Sequence, residues 1–130
     1  MVIYGDYHTH TFYSDGKQSI MESAISARNK GLKEIAITDH GFNKLAGLNR
    51  KNIDKIRKEC EEAEKETGVK VLLGVEANII SKNGDIDLNP SDIDKLDIIV
   101  VGFHQIVKAK SFMDKLSFVL PNNLKSKTKK

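Results

Sequence analysis

The sequence predicts an α/β protein. Short apolar runs alternate with stretches of helical periodicity, the pattern of strands packed against helices. The runs are apolar nearly throughout, as parallel strands covered on both faces are. A polar, chemically reactive residue stands at or just past the end of each run. These three observations define both the expected architecture and the edge on which its chemistry would sit.

Residues 2–7 read as a first, short strand. Ser19 followed by Glu22 is a capping box, and Ile20, Ala24, Ile25 and Ala27 continue at helical spacing until Gly31. Residues 34–38 form the second strand. A polar loop runs from Gly41 to about Arg50. The strongest helix follows, with Ile53, Ile56, Cys60 and Ala63 on one face and Gly68 as its stop. Residues 69–75 are the third strand. Asn83-Gly84 marks a tight turn between residues 78–80 and 85–87. Asn89-Pro90 signals a helix start, and residues 96–103 form the fourth strand. Phe112, Leu116, Val119 and Leu120 predict an amphipathic helix over residues 112–124. Four strands and their helices fit either a small open sheet or the first half of a barrel, which normally takes about 250 residues.

Composition narrows the classes. The chain has 130 residues, 39% apolar and 30% charged, with mean hydropathy −0.38. That is the balance of one globular domain at most. No apolar run approaches the roughly 20 residues of a membrane helix, and residues 1–6 lack the order of a signal peptide. With Cys60 alone no internal disulfide forms, and the expected compartment is the cytoplasm. The formal net charge of +3 is unevenly spread. Residues 1–104 carry 14 Lys/Arg against 17 Asp/Glu, whereas residues 105–130 carry 7 Lys against one Asp. A mildly acidic body with a basic tail argues against a nucleic-acid groove, and the tail lacks interleaved aromatics.

The histidines number four: His8, His10, His40 and His104. Each falls at or just past the C-terminal end of a predicted strand, and Glu76 closes the third. In parallel α/β folds that edge carries the active site. His8 and His10 are two apart in extended chain, so their side chains point the same way. Asp15 follows in a loop on the same edge. Imidazole with carboxylate suits Zn, Mn or Fe, and one cysteine excludes a closed thiolate zinc site. Asp39 should point away from His40 and is expected to support the site or cap a turn rather than to bind metal. Cys60, on an apolar helix face, reads as core.

His8-Thr9-His10-Thr11 with Ser14-Asp15-Gly16, Thr38-Asp39-His40, residues 74–78 and Gly102-Phe103-His104 resemble, in order and spacing, the first three motif blocks of the PHP (polymerase and histidinol phosphatase) family. The resemblance covers about residues 1–110 and is strongest to small stand-alone phosphatases. It implies a distorted seven-stranded (β/α)7 TIM-like barrel, of which this chain would be the N-terminal half, about four βα units. Residues 111–130 would then be an amphipathic helix and basic tail. It also implies a cluster of two or three divalent ions. His8 and His10 should bind one, Glu76 should bridge it to a second held by His104, and His40 with Asp15 should bind the third. Some members have a His where this chain has Gly16, so Asp15 stands in for it.

The family's later ligands, a His on a following strand and an Asp-x-His pair, have no counterpart here. The expectation is therefore an N-terminal part of a longer PHP protein, or a truncated product. The implied activity is hydrolysis of a small phosphate monoester by metal-activated water, with Glu76, His10 and His40 central to catalysis. Lys108, Lys110 and Lys115 are candidates to attract the phosphate. Two rival readings remain at this stage: a PHP phosphodiesterase or exonuclease, and a metal-binding remnant without catalysis.

Overall fold

A computed structural model describes residues 3–42, 46–104 and 109–121. Four strands form one parallel sheet in the order β1-β2-β3-β4: β1 (Gly5–Thr9), β2 (Glu34–Ile37), β3 (Lys70–Asn78) and β4 (Ile98–Gly102). The sheet curls into a half-barrel, with helices α1 (Ile20–Asn29) and α2 (Ile53–Thr67) on its outer face. This is the N-terminal half of the expected barrel. No described helix is long and apolar enough to cross a membrane.

The core lies between sheet and helices. Ile20, Ala24 and Ala27 of α1 and Ile53, Ile56, Cys60 and Ala63 of α2 pack on Ile35, Ile37, Val71, Leu73 and Val75. The α2 face read from the sequence is the buried one; of the α1 face, Ile20, Ala24 and Ala27 are buried, but Ile25 is exposed, one position past the contact stripe that Ala24 and Ala27 define. The Ser19–Glu22 capping box forms as expected, and Gly68 ends α2 in the left-handed conformation that favours glycine. At the opposite edge of the sheet, Arg57 of α2 grips both oxygens of Asp97, at 2.6 and 3.1 Å. Asp97 also accepts the backbone N–H of Leu73 at 2.8 Å, tying helix to strand.

Strand ends differ from the expected ones. β1 lies at Gly5–Thr9 rather than residues 2–7, because its ladder to β2 begins at Gly5↔Glu34; Val2 lies outside the described residues. β3 continues through Glu76 to Asn78, because β4 pairs with it there, Glu76 opposite Val100. β4 is shorter than residues 96–103: Leu96 belongs to the turn after helix α3 (Pro90–Ile93), bonding back to Ile93. The expected hairpin forms, with Ile79 opposite Ile86 and Gly84 at φ 85° in its turn.

Beyond β4, residues 112–121 are helical, opening with α4 (Phe112–Asp114) and widening to a π-helical turn at Lys115–Val119. Phe112, Leu116 and Leu120 are exposed, while the Phe118 ring packs edge-on against Phe103. The rest of the expected helix, to residue 124, lies outside the described residues.

Candidate metal centre

The C-terminal edge of the sheet gathers the reactive residues. β1 delivers His8 within the strand and His10 just after it. β2 runs on through Thr38 and Asp39 to His40, which bridges to Glu76 of β3. His104 follows β4 by two residues. A register shift interrupts the β1–β2 ladder between Asp6 and Thr9, the stretch that holds His8. His8 and His10 turn to one point, their Nε2 atoms 3.2 Å apart.

Glu76 is the hub. One carboxylate oxygen lies 3.4 Å from His8 Nε2 and 3.2 Å from His104 Nε2. The other lies 3.4 Å from His10 Nε2 and 2.7 Å from His40 Nδ1. Burial pushes the Glu76 carboxyl up, but His104, His40, His8 and His10 together outweigh it and hold it below the ordinary carboxylate range. Asp15 spans two rings from the loop after β1, its oxygens 2.9 Å from His10 Nδ1 and 3.0 Å from His40 Nε2. Side-chain exposure is 50% for His8 and 49% for Asp15, against 7% for His40 and 8% for Glu76. The centre is thus open on its β1 side and closed beneath.

Close approach requires glycine at two positions. A Cβ on Gly102 would stand 2.5 Å from the His104 ring and 2.7 Å from Glu76 Oε1. A Cβ on Gly16 would stand 2.3 Å from the carbonyl oxygen of His10. A side chain at 16 would therefore displace this loop, which brings Asp15 to His10 and His40. Sequence reasoning did not single out Gly102 for this role; its signal is the Gly-x-His spacing after an apolar run.

Three groups of side chains could each hold an ion: His8, His10 and Glu76; His10, Asp15 and His40; and His40, Glu76 and His104. Within each, the ligand atoms lie within 4.8 Å of one another. The residues fit a divalent metal on two observations. The donors are all imidazole nitrogen and carboxylate oxygen, suited to Zn, Mn or Fe. His104 Nδ1 is buried without a hydrogen bond among the described residues, an arrangement a protein ordinarily avoids.

Asp39 is buried and belongs to none of the three groups; it accepts hydrogen bonds from Thr11 and Ser14. Cys60 is core, its thiol pushed up to about 12 by burial, which removes it as a nucleophile. Lys110 is engaged 2.8 Å from Asp85 on the hairpin, Lys115 is exposed on the π turn, and Lys108 lies outside the described residues.

The PHP domain family pattern matches residues 6–126. The chain belongs to the PHP family. It is 41% identical over 100 residues to a probable phosphatase of Caldanaerobacter subterraneus subsp. tengcongensis, covering 76% of this chain and 38% of that protein. It is 37% identical over 105 residues to a probable phosphatase of Serratia proteamaculans, covering 80% of this chain and 42% of the relative. A probable phosphatase of Shewanella loihica is 36% identical over 109 residues. The chain thus spans about 40% of the length of the curated relatives it matches, a partial PHP domain.

Proposed function

We propose that this chain forms the metal-holding N-terminal part of a cytoplasmic PHP phosphoesterase that hydrolyses a small phosphate monoester. The observation that carries the reading is the Glu76 carboxylate ringed by four imidazoles from the other strand ends. In the proposed arrangement His8 and His10 hold one ion with Glu76. Glu76 with His104 would hold a second, and His40 with Asp15 would hold a third. Bound there, Zn, Mn or Fe ions supply Lewis-acid polarisation of a phosphoryl oxygen and lower the pKa of water to about 7.

The chain's own residues do the rest. Glu76, His10 and His40 fix the spacing of the donors from rigid strand ends, so little reorganisation is needed when charge develops. The exposed His8 and Asp15 face the open side, from which a phosphate would enter. The helix that begins at Phe112 would cover or pack beside the site.

The test is hydrolysis of a small aryl phosphate, with single-stranded DNA as the competing substrate, with and without chelator. It is run on this chain and on a chain extended to its relatives' length. Metal-dependent monoester turnover that Glu76→Gln and His10→Ala remove is the expected result. Turnover retained in either variant contradicts the mechanism. Preference for DNA favours a phosphodiesterase, and metal binding without turnover in the longer chain favours a remnant.

A further inference from the structure

Asp39 carries a carboxylate that is 1% exposed. No Lys or Arg pairs with it among the described residues. A carboxylate buried without a cation is strongly unfavourable unless donors compensate it. The donors it has come from one short segment. The backbone N–H and hydroxyl of Thr11 each donate at 2.7 Å, and the Ser14 hydroxyl donates at 2.5 Å. Thr11 is itself fully buried. Its hydroxyl accepts the N–H of Tyr13, and its carbonyl accepts the N–H groups of Ser14 and Gly16.

Residues 11–16 are therefore folded around one anchor, and Asp15 sits between two of its anchored residues. The loop's only side chain at the metal centre is Asp15, 2.9 Å from His10 and 3.0 Å from His40. Asp39 also directly precedes His40, so loop and ligand are referenced to the same point of the chain. We propose that Asp39 is a positioning residue: through residues 11–14 it sets where Asp15 stands against His10 and His40, and so sets metal affinity at that group. The proposal rests on the metal reading above and assigns Asp39 no contact with metal or substrate.

The probe is Co2+, titrated into the whole chain by calorimetry and visible absorption. The proteins are wild type, Asp39→Asn, Asp15→Asn and the double variant, with circular dichroism as the fold control. Removing such a supporting partner typically weakens metal binding about 10–100-fold. Asp39→Asn is expected to show that loss in the same binding phase that Asp15→Asn removes. In the Asp15→Asn background it should have no further effect, because the effect runs through Asp15. If Asp39→Asn does not fold, Ser14→Ala and Thr11→Val, each removing one donor, carry the same cycle with smaller losses.

Wild-type affinity in the single variant overturns the proposal. So does a loss of equal size with and without Asp15, which marks a role in general stability. No Co2+ uptake by the wild type overturns the metal reading and the proposal with it. Uptake that only Asp39→Asn leaves unchanged overturns the proposal alone.

Discussion

Replacing Glu76 by Gln keeps the side chain's size and removes its charge and its ability to serve two ions. Glu76 belongs to two of the three groups, His8–His10–Glu76 and His40–Glu76–His104. Binding to the folded state stabilises by RT ln(1 + [L]/Kd), about 2.7 kcal/mol per site at a hundredfold excess over Kd. Unfolding entropy near 2.1 cal/mol/K per residue, over 130 residues, amounts to about 0.27 kcal/mol/K. Each saturated site should therefore raise Tm by about 10 °C.

Wild type melted with and without excess Zn2+ or Mn2+ should show at least that rise. Glu76→Gln should keep a near-normal melt without metal and lose most of the rise. Scanning calorimetry reads both. An equal metal-induced rise in wild type and Glu76→Gln would refute the reasoning, because it would place binding away from the hub.

Other perturbations have equally definite outcomes. Gly102→Ala puts a methyl 2.5 Å from the His104 ring and 2.7 Å from Glu76; metal affinity should fall at least about tenfold with little change in helix content, by calorimetry and circular dichroism. Ile56, 1% exposed, should cost about 2–5 kcal/mol as Ala, read from urea melts. Asp97→Asn should cost about 1 kcal/mol at pH 7, discounted for its partial exposure. Burial raises the Asp97 carboxyl, but Arg57 and the Leu73 N–H lower it further, leaving it below its ordinary value. Its contribution is thus present above the unfolded pKa of about 3.9 and lost as pH falls through the folded one. The gap between wild type and Asp97→Asn should close between pH 5 and pH 2, approximately.

The parts of this molecule visible in its sequence are those that repeat or cap. Ile53, Ile56, Cys60 and Ala63 recur at helical spacing, and all four are buried. The Ser19–Glu22 box needs only local bonds, so local sequence suffices. Strand ends are set by a neighbour's register, which no single run contains. That is why β3 continues through Glu76, which the sequence places at a strand end, and why β1 starts three residues later than expected. His8, His10, Asp15, His40, Glu76 and His104 come together because strand order carries each to one edge. The register shift in β1 around His8, and the space left by Gly102, depend on tertiary approach and leave no periodic trace. The partners of Asp39, Thr11 and Ser14, lie more than twenty residues away, and no local pattern points to them.

The most direct test of the central claim is metal content per chain, by mass spectrometry on protein purified without added metal or chelator. The account predicts about two or more divalent ions per chain, falling in Glu76→Gln. Less than about one equivalent in the wild type, unchanged by that substitution, would contradict a metal centre built on Glu76.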